Sequence, residues 1–257
     1  MTADLVWRAP GAELRFALLP WDVRAFGRQC AEMTIAAGPA DAEAARVAAA
    51  VARFMRDAGL QTVTYRQPGR DRTHRELVRA AGFHHAELQL ELAVRLAGRG
   101  AAEPGTVLRR AAPADRAAIA AITRGAFLQT RFHDIPGATA AQIGDRFVRW
   151  LDQMWAAAPD LCLVMEVDGV VQGLFASQPT GQPGEIYLAL AATAPGAPLG
   201  FGAYLYRAAL AEYARLGWAR ASTVVDAANV AVLSLWTGLG ARLLRAKDVF
   251  LWNVERG

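Results

Sequence analysis

Two pairs of glycines constrain the fold of this chain more than any other feature of its sequence. The same number of residues separates Gly59 from Gly82 as separates Gly217 from Gly240. In each case an apolar-periodic stretch ends at the first glycine, strand-like and helix-like runs follow, and the second glycine precedes another strand-like run. Glycine adopts the left-handed backbone that ends a helix at little cost. The pattern predicts two related α/β halves, with a chance coincidence of two common units as the alternative.

Periodicity assigns the elements of both halves. The first half is predicted to contain helices over 41–58 and 72–81 and strands over 60–65 and 88–94. The second half is predicted to contain helices over 202–216 and 229–239, a strand over 219–225 and a final strand that ends at Val254.

Residues 96–105 separate the two periodic regions. This segment is rich in Gly and Ala and contains Pro104, so it is predicted to be a linker. The chain has 257 residues, which suits two small domains. We therefore expect an N-terminal domain over 1–98 and a C-terminal domain over 106–257.

The remainder of the C-terminal domain is predicted from local signals. Pro113 and Asp115 are typical of the first turn of a helix, and Asp168-Gly169 is typical of a two-residue hairpin turn. The further elements are a strand over 107–110, helices over 113–127 and 139–157 with a loop over 130–137 between them, and strands over 161–167, 170–177 and 186–192. The order β-α-α-β-β-β-α-β-α-β predicts an α/β fold.

Composition excludes several classes of function. The chain has only two cysteines, Cys30 and Cys162, each among apolar residues, so we expect inert core thiols in a reducing cytoplasm. The histidines and cysteines show no metal-ligand spacing. A net charge of +4 with dispersed arginines argues against nucleic acid and suits an anionic small ligand. No apolar run is long enough for a membrane span, and no signal peptide is expected.

The stretch 188–206 is the most informative for chemistry. A buried strand runs into a loop that contains Pro195, Gly196, Pro198, Gly200 and Gly202, and a helix follows. Glycines at a helix N-terminus let backbone N–H groups approach an anion, which the helix dipole also attracts. The loop is therefore a candidate pyrophosphate cradle. The alternative is an ordinary connection that uses glycine for tight packing.

The order of elements and this loop resemble the GNAT superfamily of N-acetyltransferases. The family loop, Gln/Arg-x-x-Gly-x-Gly/Ala, binds the pyrophosphate of CoA, and here Ala197 replaces its first residue. The resemblance implies acetyl-CoA as acyl donor and a central, mixed, mostly antiparallel sheet flanked by helices, with a partial GNAT-like half at the N-terminus. With no basic side chain in the loop, phosphate binding would depend on the backbone amides of Leu199, Gly200, Phe201, Gly202 and Ala203.

The resemblance also implies roles for the adjoining strand and for the last helix. The strand end Leu190-Ala191-Ala192 would pair with the pantetheine arm, and a backbone N–H there would be the oxyanion donor. Asn229 would contact the cofactor arm. Trp236 occupies the place of the family tyrosine, and an indole N–H, unlike a phenol, is not a useful acid. Trp236 is alternatively a packing aromatic.

Five residues are candidates for the acceptor side of the site. Glu185 is the candidate base for the amine proton, and Tyr187 is a second catalytic candidate near the same surface. In the loop after the first helix of the domain, Arg131 is a candidate phosphate ligand, Phe132 a stacking surface and His133 a proton-transfer group. For Glu185, Arg131 and His133 the alternative is a solvated surface, and for Phe132 it is an anchor for the loop.

A closer resemblance is to the dTDP-fucosamine acetyltransferase group. It depends on Leu19-Pro20-Trp21-Asp22 with Phe26-Gly27, and on Thr130-Arg131-Phe132-His133. It implies N-acetylation of a nucleotide-linked amino sugar. The alternatives are another amine acceptor, such as an amino acid or a natural-product amine, and a degenerate GNAT domain that binds CoA or a partner without turnover.

The N-terminal half is predicted to bind no CoA. Asp71 falls where Asn229 falls, counted from the preceding glycine, and a carboxylate there would repel a pyrophosphate. We expect this half to extend the sheet and to wall the acceptor pocket, in a monomer or a homodimer.

Overall fold

A computed structural model describes residues 4–39, 43–69, 74–98, 107–127 and 130–255. The helices are α1 Pro20–Phe26, α2 Ala44–Asp57, α3 Arg75–Ala80, α4 Arg116–Ala126, α5 Ala140–Ala157, α6 Phe201–Arg215 and α7 Val230–Gly238. The strands are β1 Leu5–Ala9, β2 Ala12–Leu18, β3 Cys30–Ala37, β4 Thr62–Pro68, β5 His84–Arg95, β6 Val107–Arg110, β7 Cys162–Val167, β8 Val170–Pro179, β9 Glu185–Thr193, β10 Arg220–Asp226 and β11 Arg242–Asn253.

The four spaced glycines end four helices in the same way. Gly59, Gly82, Gly217 and Gly240 have φ of 71°, 89°, 91° and 78°, a backbone that disfavours residues with a side chain. The N–H that follows each glycine donates to a carbonyl in the last turn of the helix. These bonds are Leu60 N to Met55 O, Phe83 N to Val78 O, Trp218 N to Tyr213 O and Ala241 N to Trp236 O. The two matching helix–Gly–strand–helix–Gly–strand units are confirmed, whereas their origin by duplication stays a prediction.

The other predicted elements differ from the structure mainly at their ends, whereas β1, β2, α1 and β3 were not predicted. The predicted helix over 113–127 begins with a 3₁₀ turn, Pro113–Asp115, before α4. The predicted loop over 130–137 contains a 3₁₀ turn, Arg131–Asp134, capped by the hydroxyl of Thr130. The hairpin turn is confirmed, because Asp168 and Gly169 both have positive φ, 51° and 75°.

The chain forms two compact units that are discontinuous in sequence. Unit 1 comprises Met1–Gln89, Gln129–Gln142 and Arg245–Gly257, and unit 2 comprises Leu90–Leu128 and Ile143–Leu244. This differs from a linear division at 96–105, because β5 and β11 each supply residues to both units. Residues 99–105 of the predicted linker lie outside the described residues.

Unit 1 contains a mixed sheet with strand order β1-β2-β3-β4-β11. The β3–β4 pair is parallel, and the other neighbours are antiparallel. The apolar face of α2, with Val47, Val51 and Met55 at helical spacing, belongs to the same buried core as Phe16 and Trp252. Burying these side chains supplies the main favourable free energy of the unit.

In unit 2 the strand order is β10-β9-β8-β7-β6, and the pairing is again mixed. Here β9 and β10 are parallel, and the remaining pairs are antiparallel. Helix α6 buries Leu205 and Tyr213 in a core with Phe175 and Trp236. The Tyr213 hydroxyl donates to Leu161 O at 3.0 Å and accepts from Ser177 Oγ at 2.9 Å, which satisfies a fully buried phenol.

Among the described residues, no helix combines the length and the apolar character that crossing a membrane requires.

Candidate functional site

The parallel strands of unit 2, β9 and β10, separate soon after they begin. The β9–β10 ladder pairs Glu185 with Arg220 and ends where Tyr187 pairs with Ser222. The next contact between β9 and β10 is made by a side chain, because Thr223 Oγ1 donates to Leu188 O at 2.8 Å. Beyond it β9 continues to Thr193 and β10 to Asp226. The backbone of β9 after Leu188 therefore presents a strand edge toward the gap, and such an edge can pair with an extended ligand.

A β-bulge lies at the point of parting. On the other side of β9, Ala176 of β8 pairs with Leu190 and Ser177 pairs with Leu188, so Ala189 is an extra residue in β9. A bulge bends its strand and increases the local twist, which turns the strand end away from its neighbour. The bulge thus accounts for the short ladder between β9 and β10.

The loop after β9 leads directly into the N-terminus of α6. Gly200 precedes the helix with φ of 84°, and no side chain caps the first turn. That turn contains no acidic residue, so the positive end of the helix dipole is not neutralised. Loop and helix start together form a surface suited to an anion.

Two of the five predicted phosphate-binding amides already have partners within the turn. Phe201 N donates to Pro198 O at 3.0 Å, and Ala203 N donates to Gly200 O at 3.1 Å. Within the described part of the chain, the N–H groups of Leu199, Gly200 and Gly202 donate to no protein acceptor. Of the five amides predicted to bind phosphate, these three therefore remain available to a ligand.

Space for a ligand lies beside the glycines of this loop. A Cβ added at Gly196, Gly200 or Gly202 would meet no atom within 4 Å. The side chain of Leu199 is fully exposed, with a relative accessibility of 105%. An exposed leucine beside open glycines provides an apolar contact next to an anion-binding backbone.

Gly173 of β8 sets the position of α6. A Cβ at this residue would lie 2.9 Å from Phe201 Cε1 and 3.0 Å from Leu205 Cδ2, both in the first two turns of the helix. The absent side chain lets the start of α6 pack closely on the sheet. The loop amides are held in place by that contact.

Trp236 is 1% exposed and belongs to the core of unit 2. Its ring lies edge-on to Tyr206 of α6, with ring centroids 6.0 Å apart. Its Nε1 is buried and makes no hydrogen bond within the described residues. The packing interpretation of Trp236 is thus supported, while its predicted catalytic role stays a prediction.

Asn229 has a structural role at the start of α7. Its Oδ1 accepts from Val232 N at 3.2 Å, which makes it the N-cap of the helix. The predicted contact with the cofactor arm stays a prediction, and Asn229 is exposed enough to make one.

Glu185 and Tyr187 lie in the paired part of β9, before the parting. Glu185 Oε1 accepts from Ser222 Oγ at 2.7 Å, and its Oε2 lies 3.6 Å from Arg220 Nε. Both oxygens of the Glu185 carboxylate therefore have partners on β10. The catalytic roles of both residues stay predictions.

Arg131, Phe132 and His133 belong to unit 1. Arg131 Nη1 lies 3.1 Å from Glu87 Oε1, and the two side chains are only 12% and 7% exposed. Phe132 is buried, with its ring centroid 5.5 Å from that of Phe26. His133 is exposed. The anchoring alternative for Phe132 is thus observed, and the charge of Arg131 is largely neutralised by Glu87.

Other polar groups do not form a second centre in the described parts of the chain. Cys30 and Cys162 are buried, and burial raises the pKa of the Cys162 thiol to about 12. Within residues 4–39, 43–69, 74–98, 107–127 and 130–255, no three His, Cys, Asp or Glu side chains are grouped to hold a metal ion. Asp71 lies outside the described residues.

Comparison with solved structures identifies the arrangement of elements. The chain is similar to a GCN5-related N-acetyltransferase from Sphaerobacter thermophilus, with a TM-score of 0.68 and 17% identity over 95% of this chain and 77% of that one. The chain has the GNAT fold. The predicted fold class is confirmed.

Two further GNAT neighbours extend the comparison. A tandem GNAT protein from the clavulanic acid biosynthesis pathway aligns with a TM-score of 0.60 and 16% identity, over 98% of this chain and 82% of that one. The glucosamine N-acetyltransferase region of a fungal multi-domain β-N-acetylglucosaminidase aligns with a TM-score of 0.67 and 10% identity, over 94% of this chain and 31% of that one. No protein-family model and no curated protein matches the sequence. The dTDP-fucosamine resemblance therefore stays a prediction.

Sequence reasoning missed three residues of the candidate site. Ala189 forms the bulge, Gly173 supports the helix and Tyr206 lies beside Trp236. A glycine within a predicted strand is itself a signal of close approach, so Gly173 was detectable. The bulge and the Tyr206 contact depend on pairing between elements, which no local pattern encodes.

Proposed function

We propose that this chain is an N-acyltransferase that moves an acetyl group from acetyl-CoA to a primary amine of a small molecule. The observation that carries the proposal is the parting of β9 and β10 after Tyr187 and Ser222, beside an uncapped helix N-terminus. Together they provide an extended strand edge and an anion cradle at one end of the same sheet.

The parted edge suits the pantetheine arm of CoA. This arm is extended and contains amide groups, so it can pair with a strand edge as a peptide does. The strand end Leu190-Ala191-Ala192 alternates buried and half-buried positions, and its two alanines permit close approach. A backbone N–H on this edge would stabilise the oxyanion that forms as the amine attacks the thioester.

The cradle suits the pyrophosphate of CoA. The N–H groups of Leu199, Gly200 and Gly202 can donate to phosphate oxygens, and the helix dipole adds about 0.3–1 kcal/mol of attraction. The exposed side chain of Leu199 would cover an apolar part of the ligand. No basic side chain occurs in residues 194–203, so backbone donors carry this contact.

The acceptor that we favour is an amino sugar linked to a nucleotide. The resemblance of the segments at Leu19 and Thr130 to the dTDP-fucosamine acetyltransferases supports this choice. One structural neighbour is named as a glucosamine N-acetyltransferase region, so the fold serves an amino sugar in that protein. Amino acids and natural-product amines are the other acceptors to be tested.

A second candidate function is CoA binding without turnover. It is favoured by Trp236, which is buried and has no proton to give at neutral pH where the family has a phenol. This function predicts the same affinity for acetyl-CoA but no release of free thiol with any amine.

Thermal unfolding with and without acetyl-CoA tests the proposal. Saturating ligand, at about 100 times its dissociation constant, stabilises a folded protein by about 2.7 kcal/mol. We expect acetyl-CoA to raise Tm and Gly202→Asp to abolish that rise, because a carboxylate would enter the phosphate space. Gly125→Asp, at an equally open glycine of α4, is the matched control and keeps the rise.

Three outcomes would contradict the proposal or part of it. An unchanged Tm with acetyl-CoA, propionyl-CoA and free CoA rejects the cofactor assignment. A normal rise in Gly202→Asp shows that the loop is the wrong one. Binding without thiol release across a panel of amines selects the non-catalytic candidate, whereas release with dTDP-amino sugars alone selects the favoured acceptor.

A further inference from the structure

Tyr206 lies beside the parted stretch of β9. Its ring packs edge-on against Phe175 of β8, with ring centroids 4.8 Å apart. Phe175 in turn pairs with Ala191, on the strand end past the bulge. Tyr206 and Ala191 both pack against the buried core that contains Phe175 and Trp236. The phenol is therefore held next to the edge where the thioester would bind.

The indole of Trp236 has a buried N–H, and its ring packs against Tyr206. Nε1 has no hydrogen-bond acceptor among the described residues, although the side chain is 1% exposed. Buried donors without a partner are rare in folded proteins. An unpaired buried donor beside a phenol indicates a polar partner that arrives with a ligand.

The hydroxyl proton of Tyr206 is available to such a ligand. The contact of Tyr206 with Trp236 is between the two rings, so it does not use this proton. Burial raises the pKa of Tyr206 to about 12, which keeps the phenol protonated at neutral pH. Tyr206 keeps part of its surface exposed.

Tyr213 on the same helix provides the contrast. Its hydroxyl donates to Leu161 O and accepts from Ser177 Oγ, so both of its functions are used inside the protein. Of the three tyrosines in α6, Tyr206 and Tyr213 thus differ in their partners. Tyr213 is hydrogen-bonded within the core, while the proton of Tyr206 is bonded to no described acceptor.

We propose that Tyr206 is the catalytic proton donor to the thiolate leaving group, with Trp236 as a positioning residue whose ring packs edge-on against the phenol. The inference rests on the proposed acyl transfer. It also gives a reason why the chain can function with an indole at position 236, because the acid is supplied from α6 instead of α7.

The proposed step balances as follows. The amine nitrogen forms a bond to the thioester carbonyl carbon, and the carbon–sulfur bond breaks with its electron pair on sulfur. The sulfur takes the hydroxyl proton of Tyr206 and leaves as the free thiol. The proton that the nitrogen loses on becoming an amide returns through solvent to the Tyr206 phenolate.

Matched tyrosine variants test the inference. Tyr206→Phe is expected to lower kcat about 100-fold or more while the rise in Tm with acetyl-CoA is kept, since general acids contribute factors of this size. Tyr213→Phe loses stability but keeps kcat. Hydroxylamine serves as the acceptor, because it is a small amine nucleophile that needs no specific pocket. Thiol release is measured against the uncatalysed rate.

The pH profile separates a proton donor from a packing residue. Wild type should lose kcat at high pH as Tyr206 ionises, and 3-fluorotyrosine at position 206 should move that loss to lower pH. Trp236→Leu removes the ring that packs edge-on against Tyr206, so it should lower kcat about tenfold and move the same loss of kcat to a different pH.

Each outcome bears on one proposal. A Tyr206→Phe variant with wild-type kcat, or a fluorotyrosine variant with an unshifted profile, overturns the role of Tyr206 and leaves acyl transfer standing. A wild-type protein that binds acetyl-CoA but releases no thiol also overturns the role of Tyr206. If acetyl-CoA does not stabilise wild type, the proposed function has failed before Tyr206 is tested.

Discussion

The substitution Gly173→Ala tests how the start of α6 is positioned. The added Cβ would lie 2.9 Å from Phe201 Cε1, 3.0 Å from Leu205 Cδ2 and 3.4 Å from Ala192 O. Phe201 and Leu205 are 7% and 1% exposed, so neither has open space into which to move. The first turn of α6 must shift away from β8 by a few tenths of an ångström.

The expected cost is that of overpacking a core. Inserting a methyl group into a well-packed interior destabilises by about 1–3 kcal/mol. For a chain of this length, about 2 kcal/mol corresponds to a fall in Tm of about 4–8 °C. The shift also displaces the amides of Leu199, Gly200 and Gly202, so the rise in Tm with acetyl-CoA should shrink.

Denaturation with and without acetyl-CoA measures both effects. Gly125→Ala is the control, because a Cβ at that helical glycine meets nothing within 4 Å and alanine favours the helix. The double variant Gly173→Ala/Phe201→Leu removes the clashing ring atom and should recover part of both losses. A Gly173→Ala protein with wild-type stability and an undiminished response to acetyl-CoA would refute the reasoning.

Two further predictions concern charge and capping in unit 2. Arg109 donates to both oxygens of Asp115 at 2.6 and 2.9 Å and lowers the pKa of that carboxyl. Ionised Asp115 therefore stabilises the fold above about pH 4, and this contribution is lost as pH falls through its lowered pKa. Asp115→Asn should lower the free energy of unfolding by about 2 kcal/mol at pH 7. The difference in Tm between this variant and wild type should become smaller in acid. A difference that does not depend on pH would contradict the pairing. Asn229→Ala removes the cap of α7 and should cost about 1 kcal/mol in urea unfolding, with Asn229→Ser as the control that restores it; an unaffected Asn229→Ala protein argues against the cap.

Most elements of the fold follow from short-range patterns. The helix ends at Gly59, Gly82, Gly217 and Gly240 were predictable because a left-handed residue is a local requirement that glycine meets best. The hairpin at Asp168-Gly169 was predictable for the same reason. Strand ends were less accurate, because β5 extends to His84 through pairing and not through its apolar alternation.

The candidate site was predictable only in its local parts. The loop before Phe201 was found because its glycines and the helix start are adjacent in sequence. The ion pair of Arg131 with Glu87 was not foreseen, because nothing near position 131 indicates a carboxylate 44 residues away. The loss of the Phe201 and Ala203 amides to the turn itself depends on backbone geometry that the residue types do not reveal.

The sequence by itself determined most of the helices and strands after residue 40, where those helices stop, and that a glycine-rich loop precedes α6. Only the tertiary structure decided that β9 and β10 part after three residue pairs, that Ala189 is a bulge, and that Tyr206 lies against Trp236. The physical reason is the range of the interactions. Backbone conformation and helix termination depend on neighbouring residues, whereas strand register and the contacts of α6 depend on how distant segments pack together.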